Sequence, residues 1–417
     1  MSDQLPARGL SQRGRRLADE SPTPEYFRIH GERSATPYHA ESQPDGYIPF
    51  CVAENGLVFD LLRTKMADSR AVTAPWLGYQ SMTGAAEFKR KLARFLSRRV
   101  FGREIQPEHL AALAGAGSVL EILFHALADP GDAVLVPTPS YAGFWLDLET
   151  RDELSIIPVH TTRDEGFRLT PEKLERALAE SKQRVRAVLF TTPNNPLGTV
   201  YRPAELEEVL RFAERADIHV VFDEVYALSV FGPTPFTSSA TLRPSLGDRI
   251  HIVWAFSKDF AASGLRCGTL ITENRDVMSA VEALAYWACV SGDTQFMLGE
   301  MVSDDAWVDA YVDAMQQRLG GAYRAITARL DRAGIPYLPS EAGFFLMIDL
   351  RRHLAAPTWQ AEDAVWRRIL DQANVNLTPG SACRLVEPGF MRLCFAAVSR
   401  ETGAVGVERI ARALSNL

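Results

Sequence analysis

Residues 251–259 of this sequence read HIVWAFSKD, and GLRCG follows at residues 264–268. The apolar run 252–255 is typical of a buried strand, and a second strand-like run begins at Thr269. Lys258 is therefore predicted to lie where a strand gives way to a loop. A lone lysine in such a place more often marks the exposed end of a strand than a reactive amine, so its neighbours must decide its role.

The neighbourhood of Lys258 favours a reactive amine. Burial and nearby cations lower the pKa of a lysine, and its neutral amine then attacks a carbonyl carbon to form a Schiff base. The guanidinium of Arg266, which follows a loop of small residues, suits bidentate binding of a phosphate. An amine of this kind beside a phosphate-binding arginine indicates pyridoxal 5'-phosphate as the cofactor.

A second strand-like run offers further groups for the same cofactor. Residues 220–223 (VVFD) are typical of a buried parallel strand, with Asp223 at the end where open α/β sheets bind ligands. A buried carboxylate needs a cation, which a protonated pyridine nitrogen supplies. Tyr226 and Asn195 are candidates to hydrogen-bond the cofactor's phenolic oxygen. Taken singly, an aspartate in the position of Asp223 caps the following turn about as often as it binds a ligand. The Asn-Pro-x-Gly run at Asn195 is, taken singly, more often only a turn.

As a set, these motifs resemble a known family. The residues Asn195-Pro196, Asp223-x-x-Tyr226, Ser257-Lys258 and Gly264-Leu265-Arg266-x-Gly268 resemble fold-type I pyridoxal phosphate enzymes of the class I/II aminotransferase superfamily. Within it, the sequence most resembles the 1-aminocyclopropane-1-carboxylate synthases. The resemblance extends from about Tyr26 to the C-terminus. The further motifs that carry it are AENGLVFDLL (53–62), LADPGD (127–132), VPTP (136–139), AGFF (342–345) and EPGFMRLCFA (387–396).

The resemblance implies an α/β fold like that of aspartate aminotransferase. In that fold the large domain has three α/β/α layers with a mostly parallel sheet in the middle. The N- and C-terminal segments together form a smaller α+β domain. The alternation of strand-like and helix-like runs between residues 187 and 255 predicts the same parallel sheet. The expected divisions are a flexible arm (1–25), an N-terminal segment of the small domain (26–65), a large cofactor-binding domain (66–305) and the C-terminal small domain (306–417).

Composition argues against several classes of function. The 417 residues are 47% hydrophobic and 23% charged, which is typical of a soluble globular protein. A net charge of −7 argues against nucleic acid or an anionic membrane as a partner. The five cysteines are scattered, so we expect neither a disulfide framework nor a metal site. A cytoplasmic location fits this cysteine usage best.

A glycine-containing turn at residues 115–118 (GAGS) opens a predicted helix. The exposed amides of Ala116 and Gly117, with the Ser118 hydroxyl, are predicted to bind the cofactor's phosphate. A dinucleotide site is the weaker interpretation, because Leu120 replaces the third glycine of that motif. By resemblance, Tyr141 stacks on the pyridine ring and Ser257 joins the phosphate site.

Arg392 lies in FMRLCF (390–395), where a strand-borne arginine among apolar residues needs an anionic partner. By resemblance this partner is the substrate's α-carboxylate, and the alternative is an internal salt bridge. Glu54 is by resemblance at the mouth of the substrate site, where it faces a polar or cationic end of the substrate. The alternative for Glu54 is a carboxylate near the next helix N-terminus. Tyr141 and Asn195 are also expected to contact the substrate.

Three positions depart from the family pattern. Met82 stands where relatives have a tyrosine that reaches the phosphate in the neighbouring subunit, and a thioether cannot donate that hydrogen bond. Ala255 replaces a phosphate-binding serine, which leaves Ser257 as the one serine of this stretch predicted to bind the phosphate. Leu146 stands where plant cyclopropane-forming enzymes have arginine. The resemblance still implies a homodimer.

The resemblance implies that Lys258, Asp223 and Tyr226 are catalytic. Lys258 takes the Cα proton of an α-amino acid while Asp223 keeps the ring protonated, through aldimine and quinonoid intermediates. Three hypotheses follow. The favoured one is a lyase like 1-aminocyclopropane-1-carboxylate synthase, acting on S-adenosylmethionine or a similar γ-activated amino acid in specialised metabolism. The others are an aminotransferase that passes the amino group to a 2-oxo acid, and a non-catalytic regulator that binds the cofactor.

Overall fold

A computed structural model describes residues 9–415. The strands are β1 (Ile48–Pro49), β2 (Leu110–Leu113), β3 (Ala133–Thr138), β4 (Ser155–His160), β5 (Val185–Thr191), β6 (His219–Asp223), β7 (Ile250–Ala255), β8 (Gly268–Thr272), β9 (Phe345–Asp349), β10 (Val375–Asn376), β11 (Thr378–Pro379) and β12 (Phe390–Cys394). The helices are α1 (Gln12–Asp19), α2 (Glu25–Arg33), α3 (Phe59–Asp68), α4 (Ala86–Leu96), α5 (Ala116–Leu127), α6 (Phe144–Glu149), α7 (Pro171–Glu180), α8 (Pro203–Ala216), α9 (Phe256–Asp259), α10 (Arg275–Leu284), α11 (Gly292–Ser303), α12 (Asp305–Ala333), α13 (Trp359–Ala373) and α14 (Arg400–Leu414).

The large sheet has the strand order β2-β8-β7-β6-β5-β3-β4. Neighbouring strands from β7 through β6, β5 and β3 to β4 are parallel, whereas β8 is antiparallel to both of its neighbours. Successive side chains of a strand point to opposite faces, and Val221 and Phe222 accordingly belong to two different apolar clusters. This sheet with apolar cores on both faces confirms the predicted α/β class.

Both ends of the chain contribute to a second structural region. Strand β1 pairs in parallel with β10, and β9 pairs with β12, which pairs with β11. The guanidinium of Arg409 in α14 donates hydrogen bonds to the carbonyls of Gly46 (2.8 Å) and Ala373 (3.1 Å). These contacts confirm that N- and C-terminal segments fold together, while the domain boundaries stay a prediction.

The order of strands brings three predicted functional groups to one edge of the large sheet. Thr191, at the end of β5, pairs with Asp223, at the end of β6, and Asp223 pairs with Val253 in β7. Asn195 follows β5 by four residues and Lys258 follows β7 by three. Since the carboxyl ends of parallel strands share an edge, that edge is where a ligand is expected.

The structure differs from the local prediction for Lys258. Lys258 does not lie in an open loop, because the short helix α9 begins directly after β7, closed by hydrogen bonds from Phe260 N to Phe256 O (3.2 Å) and from Ala261 N to Lys258 O (2.9 Å).

Residues 1–8 of the predicted N-terminal arm lie outside the described residues. The remainder contains α1, which Ser11 caps at its N-terminus. Within residues 9–415, no helix is both long and apolar enough to cross a membrane.

Candidate active site

Lys258 points into the space between the large sheet and the segment after β1. Its Nζ donates a hydrogen bond to the carbonyl oxygen of Ala53 (2.7 Å). Burial lowers the pKa of Lys258 to about 8; Glu54 opposes this shift and Arg392 adds to it. A lysine of this pKa is partly neutral near pH 8, which is the form that attacks a carbonyl carbon.

Asp223 is 6% exposed at the end of β6 and accepts a hydrogen bond from Val225 N (3.3 Å). Burial raises the pKa of Asp223 to about 7, and the Lys258 ammonium opposes this shift. A raised pKa means that the ionised carboxylate is poorly stabilised by the protein alone. A cationic ring nitrogen brought against Asp223 would relieve that cost, so the residue fits the pyridine of pyridoxal phosphate.

Arg266 lies beside the N-terminal turn of α5. A Cβ atom on Gly115 would come within 2.3 Å of Arg266 Nη2, and Gly115 has a φ of +94°. Arg266 Nη1 donates a hydrogen bond to Ser263 O (2.9 Å). The guanidinium and the first amides of α5 therefore converge, and both are donors suited to a phosphate. The Ser118 hydroxyl donates to Ala114 O (3.2 Å), so its predicted contact with phosphate stays a prediction.

Asp147 in α6 is a carboxylate at this site that sequence reasoning missed. Its Oδ1 lies 3.1 Å from the position that a Cβ atom on Gly117 would take. Burial raises the pKa of Asp147 to about 7; Asp223 adds to this shift and Arg266 opposes it. The available signal was a lone acid between Leu146 and Leu148, which by itself does not indicate a site.

Tyr141 and Tyr226 hold aromatic rings at the same edge. Tyr141 is 39% exposed, and its ring meets that of Phe144 edge-on at 5.3 Å between centroids. Tyr226 is 2% exposed and packs edge-on against Phe344 (5.4 Å) and Phe345 (5.3 Å). Burial raises the pKa of Tyr226 well above its usual value, so its hydroxyl keeps its proton and can donate it in a hydrogen bond.

Arg392 is 2% exposed on β12 and is held by neutral acceptors only. Its Nη1 donates to Asn195 Oδ1 (2.9 Å), and its Nη2 donates to Cys51 O (2.8 Å) and Thr378 Oγ1 (3.0 Å). Its buried Nε has no partner, and no carboxylate forms an ion pair with Arg392 in the described part of the chain. The internal salt bridge is therefore not observed, and the guanidinium has the properties required to bind a carboxylate from outside.

Glu54 is exposed and follows the residue whose carbonyl binds Lys258. Its Oε1 accepts a hydrogen bond from Ser263 Oγ (2.9 Å), three residues before Arg266. The next helical turn is capped instead by Asn55, whose Oδ1 accepts from Leu57 N (3.1 Å). Asn55 is therefore the residue that caps this turn, and Glu54 lies one residue before it. The predicted contact of Glu54 with the substrate and its alternative, a carboxylate near a helix N-terminus, both stay predictions.

The three residues that depart from the family pattern lie in different surroundings. Met82 is partly buried against the apolar cluster on one face of the large sheet, so its thioether serves packing. Ala255 is fully buried at the end of β7. Leu146 is 39% exposed and lines a cavity of about 630 Å³ beside Tyr26 and Trp145.

Comparison with known proteins identifies the family. Residues 50–410 match the family model described as aminotransferase class I and II. The chain belongs to this family. As a class I and II aminotransferase family member it uses pyridoxal 5'-phosphate, and it is a lyase or an aminotransferase. The predicted cofactor and enzyme class are thereby confirmed.

The chain is similar to named enzymes and to solved structures. The chain is 37% identical to 1-aminocyclopropane-1-carboxylate synthase 4 of Oryza sativa subsp. japonica, over 90% of this chain and 84% of the relative. It is 35% identical to 1-aminocyclopropane-1-carboxylate synthase 8 of Arabidopsis thaliana, over 93% and 87%. The solved structure of aspartate aminotransferase from Thermus thermophilus with maleate matches with a TM-score of 0.80 at 22% identity, over 97% and 100%. The last similarity confirms the aspartate aminotransferase-like fold.

One prediction concerns the phosphate site of this family member. Gly115→Ala places a methyl group within 2.3 Å of Arg266 Nη2 and is expected to weaken cofactor binding by at least about tenfold, since it displaces a charge-assisted donor. Titration of the apoenzyme with pyridoxal phosphate measures this. Gly131→Ala is the matched control, because Gly131 has a φ of +88° but nothing within 4 Å of the added atom. Equal loss of affinity in both variants would contradict the assignment.

A second prediction follows from the pKa of Lys258. The apoenzyme is expected to couple to pyridoxal phosphate at a rate that rises with pH and is half-maximal near pH 8, since the reactive amine is the neutral form and its pKa is lowered to about 8. An unperturbed lysine would give a midpoint at about pH 10.4. Stopped-flow absorbance across pH 6.5–10 is the measurement, and a midpoint near 10 would contradict the buried environment.

Proposed function

We propose that this enzyme is a lyase like 1-aminocyclopropane-1-carboxylate synthase, acting on an α-amino acid with a leaving group on Cγ, such as S-adenosylmethionine. The observation that carries this proposal is the order of contacts along residues 51–54. Cys51 O binds Arg392, Ala53 O binds Lys258, and Glu54 presents an exposed carboxylate. A substrate lying along this segment would have its carboxylate at Arg392, its Cα at Lys258 and its cationic end at Glu54.

Each residue then has a definite task. Pyridoxal phosphate, when bound, supplies an electron-withdrawing ring. Arg392 binds the α-carboxylate, and its contact with Asn195 fixes the plane of the guanidinium. Lys258 moves the proton of Cα, and Asp223 keeps the ring nitrogen protonated. Glu54 attracts a sulfonium at the opening of the site, an attraction that is strongest for a substrate with positive charge near Cγ.

The sequence similarity to named synthases supports the same proposal, since the identity reaches 37% and spans most of both chains. The test is incubation of the loaded enzyme with S-adenosylmethionine in the absence of any 2-oxo acid. Release of methylthioadenosine together with an amino acid product is expected. No release, with turnover appearing only when a 2-oxo acid is added, would contradict the lyase proposal.

The second candidate is an aminotransferase, favoured by the position of Leu146. Leu146 is an exposed apolar residue on the wall of a cavity of about 630 Å³, beside Trp145 and Tyr26, in place of the arginine of the plant cyclopropane-forming enzymes. Tyr26 lies near enough to Arg392 for the two to interact electrostatically, so a substrate bound at Arg392 would extend an apolar side chain along this wall. Such a substrate differs from S-adenosylmethionine and fits a specialised reaction in biosynthesis. Turnover of a panel of amino acids that requires a 2-oxo acid would support this candidate.

We also propose that the enzyme works as a homodimer. Four large apolar side chains are exposed: Leu77 (76%), Tyr79 (99%), Tyr286 (66%) and Trp287 (75%). Their two segments adjoin, because a Cβ atom on Gly292 would lie 2.2 Å from Trp76 O. Exposed apolar patches of this kind commonly mark protein interfaces. Sedimentation of the wild type as a dimer, and of Tyr79→Asp/Trp287→Asp as a monomer, is the expected result.

A further inference from the structure

Asp259, the residue after Lys258, is a fully buried carboxylate that accepts three hydrogen bonds. Its Oδ2 accepts from Leu228 N (3.1 Å) and from the indole nitrogen of Trp254 (2.9 Å), and its Oδ1 accepts from Ser229 Oγ (2.7 Å). A buried carboxylate costs stability unless such donors replace water. None of these three donors is a group predicted to touch cofactor or substrate.

The three donors come from the two segments that carry reactive groups. Trp254 lies on β7, which leads into α9 and Lys258. Leu228 and Ser229 lie two and three residues beyond Tyr226, in the turn that follows β6. One carboxylate therefore joins the helix that carries the lysine to the turn that carries the tyrosine, although the two are 32 positions apart in the sequence.

The lysine-bearing helix is held from a third side as well. The carbonyl oxygen of Asp259 accepts a hydrogen bond from the Tyr311 hydroxyl in α12 (3.1 Å). The ring of Tyr311 stacks on the ring of Phe260, with centroids 5.2 Å apart and planes 5° apart. The turn after Tyr226 is also held to α12, because Gln316 Nε2 donates a hydrogen bond to Leu228 O (2.8 Å). The Asp259 carboxylate joins α9 to the same turn directly, through Leu228 N and Ser229 Oγ.

We propose that Asp259 is a positioning residue for Lys258, which fixes the lysine amine relative to the Tyr226 hydroxyl and thereby sets the pH at which the lysine–cofactor linkage loses its proton. The titratable and charged groups that face Lys258 are those of Glu54, Arg392, Cys394 and Asp223, and the variants below change none of them. The physical basis is the hydrogen bond that Tyr226 is expected to donate to the cofactor's phenolic oxygen. That bond favours the form of the linkage without its proton, since it stabilises the negative charge on the oxygen. This role goes beyond the proposed function, because it applies to a lyase and to an aminotransferase alike.

The experiment is a pH titration of the visible absorbance of the loaded enzyme without substrate. Asp259→Ala removes all three acceptor contacts, loosens the Tyr226 turn, and is expected to raise the midpoint of the titration by about one pH unit. Asp259→Asn is expected to behave like the wild type. Its Oδ1 can accept from Leu228 N and Trp254 Nε1, and its Nδ2 can donate to the Ser229 hydroxyl.

The matched control is Glu362→Ala, which removes another buried carboxylate that accepts backbone hydrogen bonds, from Ser381 N (2.9 Å) and Gly389 N (2.7 Å). It is expected to lower the melting temperature as Asp259→Ala does, without a shift of the titration. An unshifted Asp259→Ala would overturn the proposal and leave a structural role only. An Asp259→Asn variant shifted as far as Asp259→Ala would also overturn it, since charge and not position would then be responsible.

A milder variant covers the case in which Asp259→Ala fails to fold. Ser229→Ala removes one of the three donors and leaves the other two in place. It is expected to raise the midpoint in the same direction by a smaller amount. A folded Ser229→Ala enzyme with the wild-type midpoint would overturn the proposal.

Discussion

Lys258→Ala is expected to lower turnover by about 10⁴-fold, the upper end of the range for the loss of a general acid–base group. The loss has two physical causes. The variant has no amine to hold the cofactor covalently, and nothing at that position can move the Cα proton. Visible absorbance should change at the same time, because the cofactor would bind only through its phosphate and ring contacts. Steady-state rates and absorbance spectra measure both effects.

The control for this variant is Lys89→Ala. Lys89 is another partly buried lysine whose pKa is lowered by burial, but it lies on α4 and outside the site. Its replacement should leave both the spectrum and the rate within about twofold of the wild type, because Lys89 has no predicted contact with cofactor or substrate. Turnover that persists in Lys258→Ala would contradict the role of Lys258 in moving the Cα proton.

Arg392→Lys is expected to lower kcat/KM by about 10²- to 10³-fold, which corresponds to about 3–4 kcal/mol, the lower part of the range for breaking a buried charged pair. Lysine keeps the charge but not the planar fork. It cannot hold Asn195 Oδ1, Cys51 O and Thr378 Oγ1 while it also presents two parallel donors to a carboxylate. Initial rates over a range of substrate concentrations measure the effect.

The control for this variant is a substrate analogue that lacks the carboxylate. An amine analogue of the substrate should react equally slowly with the wild type and with Arg392→Lys, because neither can use the missing contact. Cofactor binding should change much less than catalytic efficiency, since Arg392 acts on pyridoxal phosphate only through its contact with Asn195. A variant that loses cofactor affinity as strongly as catalytic efficiency would contradict the assignment of Arg392 to the substrate.

The regular elements at the centre of the fold could be predicted from sequence, because their signals are local. The apolar runs that end at Asp223 and Ala255 are long enough to identify β6 and β7, and the predicted alternation of strand-like and helix-like runs between residues 187 and 255 includes α8. The cofactor was predictable for a related reason. Lys258, Arg266 and Asp223 each lie at an element boundary that the sequence marks with glycine or with a change of polarity.

The contacts that orient these residues could not be predicted, since they join distant parts of the chain. The Arg392–Asn195 hydrogen bond spans 197 positions, and nothing local to either residue indicates the other. Asp147 and Asp259 were missed for the same reason. A carboxylate beside apolar residues has no distinctive sequence signal until its donors or neighbours, here Gly117 and Ser229, are placed in space. The turn that makes α9 a helix was likewise invisible, because backbone hydrogen bonds alone close it.

The central claim is that Lys258 holds pyridoxal phosphate in a pocket with Asp223 at the ring and Arg266 at the phosphate. Its most direct test is reduction of the loaded enzyme with borohydride, followed by peptide mapping by mass spectrometry. The account predicts a single phosphopyridoxyl group on the peptide that contains Lys258, and no such group on that peptide in Arg266→Ala at the same limiting cofactor concentration. Labelling of a different lysine, or labelling of Lys258 that is indifferent to Arg266, would contradict it.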